Sequence, residues 1–420
     1  MHKNQTHRSQ SRRKFLRGSV LGTGFALGLG TSVPISLQRA ALASNLAGDS
    51  QDNVLVVIQL SGGNDGLNTV IPVHDDAYYA ARPKLAIPKN ETIELDEELA
   101  LHPSLRGFAD LIEAGQGSVI HGVGYERPNR SHFESMDVWH TCLRKGQTRK
   151  QGWLGRYLDE TASQSGGDLP AIHFGGKKQP LALAANNVRV PSVSSVDEFR
   201  LKNSRADELA ELIQNLSDST GSAKEENDLL SFVQTNTTSA LAASERVNSA
   251  RSSYKSKTKY PESALAEKLS VIAQLLDAKL ATRVYYVELD GFDTHAQQPN
   301  SHASLLREWS EALHAFVSDL DEHGHLSRVS VLTFSEFGRR VAENASLGTD
   351  HGAAAPVFLA GADLPKASVG KQPSLTDLED GDLKYNIDFR TIYASILNQR
   401  LGVQDTRKLV GEVEQLELFG

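Results

Sequence analysis

One cysteine, Cys142, stands in a chain of 420 residues. That excludes an internal disulfide framework and any metal cage built from thiolates. Beyond the N-terminus no apolar run approaches the ~20 residues of a membrane span, so the body of the chain is not an integral membrane protein. Excess positive charge is lacking as well. The 44 Lys and Arg face 52 Asp and Glu, and the resulting net charge of −8 argues against a general nucleic-acid binder. What remains is ordinary for a soluble globular protein: 39% hydrophobic and 23% charged residues, in a length sufficient for one large domain or two smaller ones.

The first 43 residues lack acids altogether and hold seven Lys and Arg. Arg12-Arg13-Lys14-Phe15-Leu16 precedes a mild, Gly-rich apolar stretch from Gly18 to Leu37. Ala41-Leu42-Ala43 then supplies the small residues a signal peptidase needs before Ser44. This order resembles a bacterial twin-arginine signal. It predicts export through the twin-arginine translocase to the periplasm or beyond, with the leader either removed or kept as an anchor. Without residues 1–43 the net charge becomes −15. Such a surface repels polyanions at long range, so an anionic substrate needs a locally positive site, such as a metal.

Residues 44–420 read as a single α/β domain. The run 54–60, VLVVIQL, is continuous and β-branched, as expected of a strand buried on both faces. A loop from Ser61 to Gly66 follows. Residues 75–100 are polar and punctuated by proline, which predicts surface loops. A helix is expected over 105–114 and a strand over 118–123. Residues 195–260 turn rich in Ser, Asn, Lys and Glu; Leu209, Leu212, Leu216, Leu229 and Phe232 suggest amphipathic helices, an insertion or lid. From 264 to 361 two helix stripes, Leu265 to Leu280 and Leu306 to Leu320, alternate with strands at 283–289, 328–334 and 356–360. Such alternation implies right-handed crossovers and a mostly parallel sheet.

In an open α/β sheet, ligands bind beyond the carboxyl ends of the strands. Each expected strand ends in unusual polar residues. They are Asn64 and Asp65; Asn129, Arg130, Ser131 and His132; Asp290, Asp293 and His295; Glu336, Arg339 and Arg340; and Asp350 with His351 ahead of the last strand. If the strands are parallel neighbours, these loops share one edge. Crowded carboxylates repel unless a cation neutralises them. An Asp/Glu/His set without thiolate suits divalent metals: the imidazoles favour Zn or Mn, Mg or Ca is possible, and Fe also fits. Each residue has a plainer role to set beside that one. Asp65, Asp290 and Asp293 suit turns or caps. Glu336 suits a salt bridge to Arg339 or Arg340. Ser131 suits a helix N-cap. A nucleophile at a helix start would gain from the N–H groups there. His102, His173, His314, His323 and His325 carry no local signal.

The twin-arginine start, SGGNDGLNTVIP, RSHFESMDVWHT, DGFDTH, SEFGRR with ENASLGTDHG, and DFRTIYASILNQRLG together resemble domain-of-unknown-function family 1501, across essentially the whole chain after the leader. That family is similar to the alkaline phosphatase-like superfamily of phosphatases, sulfatases and cofactor-independent phosphoglycerate mutases. The resemblance implies a three-layer α/β/α sandwich with a mostly parallel central sheet and a bimetal site. It places the first-strand acid at Asp65, the nucleophile at Ser131, a metal motif at Asp290 or Asp293 with His295, and a late metal histidine at His351. Where the superfamily has an Asp-His pair, this chain has Ser335-Glu336, so an imidazole is missing there.

The expected protein is an exported metal-dependent hydrolase of small or polymeric anionic esters, phosphate or sulfate. Asp65, Asp290, Asp293, His295, Glu336, Asp350 and His351 would hold one or two metals. Ser131 would attack, and Arg130, His132 and Arg339 would hold the ester. The alternative is a non-catalytic cell-envelope binding or assembly protein that keeps the fold and a structural ion; a weaker third is an Fe redox enzyme. The metal readings require Asp293, His295, Glu336 and His351 to converge within ~10 Å.

Overall fold

The computed structural model describes residues 53–161, 169–176, 178–193 and 254–420. The leader, and the expected insertion up to residue 253, lie outside the described residues. Those described belong to one unit, Ala47–Gly420.

Nine strands form the main sheet: β1 (Val54–Ser61), β2 (Gly117–Gly124), β3 (Ala171–Phe174), β4 (Ser192–Val193), β5 (Val284–Asp290), β6 (Val329–Phe334), β7 (Ala355–Gly361), β8 (Ser368–Val369) and β9 (Ile387–Asp388). Their order is β8-β2-β7-β6-β1-β5-β3-β4, with β9 also on β2. All pairings are parallel except those of β7, which runs against both β2 and β6. The apolar run of β1 explains its central place, because alternate residues feed two cores. Val54, Val56, Ile58 and Leu60 pack with α1 (Arg106–Glu113), α4 (Ala264–Asp277) and α5 (Gln298–Glu322). Leu55 and Val57 pack with α2 (His132–Thr141), α3 (Trp153–Thr161) and α6 (Phe389–Gln399). Helices therefore cover both faces of a mostly parallel sheet, in three layers. No helix among the described residues is long and apolar enough to cross a membrane.

This topology decides where the polar loops go. β1, β5 and β6 run together, with Ser61 paired to Asp290 and Gln59 to Phe334. β2 runs the same way, and β7 the opposite way, so the segment leading into β7 arrives at the same edge. All five loops meet there.

Residues 75–100 depart from the expectation of surface loops. They include a helix, Asp76–Ala81, and two strands, Ile93–Glu94 and Ala100–Leu101, of a small three-stranded sheet completed by Val70–Ile71. Tyr78 and Arg82 are fully buried. A buried guanidinium needs an acid and several carbonyls, and the fold supplies them. Arg82 binds Asp65 at 2.6 Å and donates to the carbonyls of Val341 and Arg340, each at 2.9 Å.

Candidate metal centre

The loops approach closely because glycines allow it. A Cβ on Gly62, at φ +120°, would stand 2.3 Å from the backbone nitrogen of Asp293. One on Gly348 would stand 2.2 Å from the carbonyl carbon of His295. Arg339 then locks the assembly. It is buried, and it donates to the carbonyls of Gly63 (2.7 Å), Thr349 (2.8 Å), Phe292 (3.0 Å) and Gly62, and to Asp293 Oδ1 (2.8 Å). One side chain thus pins three loops.

Around Asp293 stand three imidazoles. His351 Nε2 lies 3.0 Å and His295 Nε2 3.1 Å from Asp293 Oδ1, and the two nitrogens are 2.9 Å apart. His132 Nε2 lies 3.4 Å from Asp293 Oδ2 and has no hydrogen-bond partner although it is buried. Ligand atoms of His132, Asp293 and His351 all fall within 4.8 Å of one another. The far nitrogen of each ring is tied down. His132 Nδ1 meets Glu336 Oε1 at 2.9 Å, His351 Nδ1 the carbonyl of Arg130 at 2.7 Å, and His295 Nδ1 Asp350 Oδ1 at 3.2 Å.

Those partners fix the tautomers. Carbonyls and carboxylates only accept, so a singly protonated ring keeps its proton on Nδ1 and turns Nε2 toward Asp293. With Nε2 free of its proton, as a cation's ligand must be, His132 and His351 join the Asp293 carboxylate around one point, and His295 stands beside them. Donors ~2.0–2.1 Å from a tetrahedral Zn²⁺ lie about 3.3 Å apart; His351 and His132 stand 3.0 and 3.4 Å from the Asp293 carboxylate, and these three residues form the group within 4.8 Å, with His295 beside it. The set fits a divalent cation, and orienting a ligand imidazole through its other nitrogen is the usual supporting arrangement.

The electrostatics agree. Burial alone would raise the pKa of Asp293, but hydrogen bonds from Arg339 and His351 and the Arg339 charge hold it at about 2. The bond to Glu336 raises that of His132. Glu336 is buried and also accepts from the Gly62 N–H at 2.9 Å. Asp350 is lowered, first by its bond from Asn344.

Asp293, His295, Glu336, Asp350 and His351 are thus brought together, and His132, expected against the substrate, joins them facing Asp293. Glu336 and Asp350 approach the outer ring nitrogens rather than the centre. Three expectations, those for Asp65, Asp290 and Arg339, need correcting. Asp65 is fully buried and spends Oδ2 on Arg82 and Gln298; among the described residues no bond joins it to Asp293 or the three rings. Asp290 is exposed and accepts the N–H of Gly291 at 2.8 Å, closing its own turn. Arg130 gives its Nε to Asp382 at 2.7 Å. Arg339 is spent inside the loops and presents nothing to a substrate. Ser131 is exposed at the start of α2 and makes no capping bond. Arg82, Gln298 and His302, which build the buried network behind the site, were not singled out from sequence. His302 had a signal, since it continues the apolar stripe of Leu306, Trp309 and Leu313.

Fold and site define an α/β/α protein with a candidate metal centre at the carboxyl edge of its sheet. The chain belongs to the family described as "Protein of unknown function (DUF1501)", whose model matches residues 52–416. No curated protein matches it. Three solved structures are similar to it. One is a protein in the alkaline phosphatase superfamily from Vibrio parahaemolyticus, at 8% identity over 90% of this chain and 77% of that one, TM-score 0.41. The second is the C-terminal periplasmic domain of EcEptC from Escherichia coli, at 9% over 88% and 89%, TM-score 0.40. The third is the PsFucS1 sulfatase from Pseudoalteromonas sp., at 11% over 92% and 75%, TM-score 0.37. The chemistry of the site rests on its own residues.

Proposed function

We propose that this chain is an exported, metal-dependent hydrolase of anionic phosphate or sulfate esters. The observation that carries the reading is the convergence of three Nε2 atoms on the Asp293 carboxylate, with every Nδ1 anchored. His132, Asp293 and His351 would hold the ion, with His295 beside them, zinc or manganese by the preference of imidazole. When bound, it supplies a Lewis acid and lowers the pKa of a hydroxyl or water beside it. Glu336, Asp350 and the Arg130 carbonyl keep the rings aimed. Ser131, next to His132 and free of a capping bond, is the nucleophile. The N–H groups opening α2 are placed to receive the ester's anionic oxygens. One ion suffices in this reading, because a guanidinium, that of Arg82, already neutralises Asp65. Openness supports catalysis over a buried structural ion: the side chains of Asp293 and His295 are 49% and 43% exposed. Export follows from the twin-arginine resemblance of the leader.

Metal analysis of the purified protein, and assays on aryl phosphate and sulfate esters with Zn, Mn, Mg and Ca, test the reading. One ion per chain is expected. His351→Ala should lose the ion, and both His351→Ala and Ser131→Ala should lose about a thousandfold in kcat/KM. No turnover with any metal, together with a Ser131→Ala protein indistinguishable from wild type, would end it.

A further inference from the structure

Beside the metal centre lies a cavity of about 400 Å³, a size suited to a small ligand. It shares walls with the site. Arg130, whose carbonyl anchors His351, lines it, as do Ala353 and Ala354, which follow His351 toward β7. Its charges balance: Arg127, Arg130 and Lys384 against Glu379, Asp380 and Asp382. Most are also paired. Arg130 holds Asp382, Lys384 holds Asp377, and Arg127 lies near Glu126. An anion would meet three carboxylates there and a cation three bases, so neither is favoured.

One polar atom is left over. The Asp382 side chain is 3% exposed, its Oδ2 accepts from Arg130, and its Oδ1 has no hydrogen-bond partner, Arg340 Nε being 3.6 Å away. A buried carboxylate oxygen without a donor is costly, and a ligand hydroxyl would relieve it. Asn129 and Arg130 offer donors on the same wall, so the occupant must both donate and accept at close spacing. Tyr385, 37% exposed, adds an aromatic ring on the rim. Vicinal hydroxyls on a ring with an apolar face meet all of these demands.

We propose that the cavity holds the alcohol part of the ester, and that this alcohol is a neutral sugar ring. The inference rests on the hydrolase reading and gives it a substrate class, sugar sulfates or sugar phosphates. Hydrolysis breaks the bond from the sugar oxygen to sulfur or phosphorus. The sugar leaves as the free alcohol with a proton from water, and the water's oxygen ends on the released anion. The hydroxyls beside the ester are what Asp382 and Arg130 would read.

The test compares galactose 6-sulfate and glucose 6-phosphate with p-nitrophenyl sulfate and phosphate, using wild type, Tyr385→Ala and Asp382→Asn. Sugar esters should exceed aryl esters at least a hundredfold in kcat/KM, and Tyr385→Ala should cut that ratio about tenfold. In parallel, free galactose and glucose should raise the melting temperature of wild type and of His351→Ala, but not of Tyr385→Ala. Aryl turnover without sugar preference or sugar binding overturns the inference and leaves the hydrolase reading standing. No turnover of any ester, with Tyr385-dependent sugar binding, sinks the hydrolase reading and supports the sugar cavity. Neither turnover nor binding overturns both. If Asp382→Asn misfolds for want of the Arg130 pair, Tyr385→Ala still decides.

Discussion

Asp65 and Asp293 occupy matching places on neighbouring strands, four residues past the end of β1 and three past the end of β5. Their surroundings are opposite. Asp65 is fully buried against Arg82, and Gln298 and the nearby Asn64–His302 pair close the space around it. Asp293 has half its side chain in solvent and meets three imidazoles. Each acid has a guanidinium partner, Arg82 or Arg339, and the difference lies in how far the rest of the carboxylate is open. A guanidinium keeps its proton at any working pH, so the Asp65 charge is permanently paired, through Oδ2, inside the structure. Asp293 also meets a guanidinium, Arg339 at 2.8 Å, but keeps half its side chain open and turns Oδ2 toward His132, so an ion can still join it and the rings. The closed knot supports the open one. Gln298 links Asp65 to Thr349 Oγ1, and Arg339 clasps the Thr349 carbonyl and the Asp293 carboxylate together.

The largest effect expected from this contrast is on stability. Removing one partner of a buried ion pair leaves an uncompensated charge, a cost of about 3–5 kcal/mol. Arg82→Ala should therefore lose that much in urea unfolding, with the carbonyls of Val341 and Arg340 losing their donor besides. Asp293→Ala takes the acid from the buried Arg339, which keeps four carbonyl acceptors, and the acid removed is half-exposed, so its loss should be smaller, about 1–2 kcal/mol. Equal losses in the two variants would erase the distinction.

Acid should separate the two knots next. Burial lowers His302 to about 4 and His102 to about 3, so both are neutral in the folded protein where an unfolded chain, near 6.5, is protonated. Between pH 6.5 and 4 the unfolded state binds more protons, so stability rises with pH there and falls on acidification. Each such ring contributes about 1.4 kcal/mol per pH unit in that window. Asp293, held at about 2, contributes only above its ordinary 3.8 and loses its share between there and 2. Urea midpoints from pH 7 to 4.5 should therefore fall less steeply in His302→Gln than in wild type, and Asp293→Asn should not alter the slope. Identical slopes for His302→Gln and wild type would contradict the closed, neutral state of that ring.

Much of this arrangement was legible because parallel strands buried on both faces write themselves as unbroken apolar runs. 54–60, 118–123, 283–289 and 328–334 all lie on observed strands, and the acids and histidines after them could be listed before their meeting was known. β3 and β4 were not legible: four and two residues are too few for periodicity to register. Nor could sequence rank the acids. Arg82 sits in a polar stretch where a buried arginine looks like any surface one, so the partner that removes Asp65 from the site was invisible. The roles of Glu336 and Asp350 depend on which ring nitrogen faces which way, a matter of tertiary contact alone. Cys142, lone and buried, has its thiol pushed up to about 12 by desolvation, as fits a core residue outside the chemistry.

The smallest effect expected is the sharpest test of how loops assign roles, because Asp290 and Asp293 share one turn, DGFDTH. Asp290 is exposed and, among the described residues, its side chain bonds only to the N–H of its neighbour Gly291, an interaction an asparagine oxygen can keep. Asp290→Asn should hold stability within about 0.5 kcal/mol and leave metal content at one ion per chain. Asp293→Asn keeps the same shape three residues on but loses the charge that faces the rings, so its metal content should collapse. Equal metal loss in the two would mean that the loop draws the ion by its summed negative charge, and the aimed Nε2 atoms of His132, His295 and His351 would then have to be explained some other way.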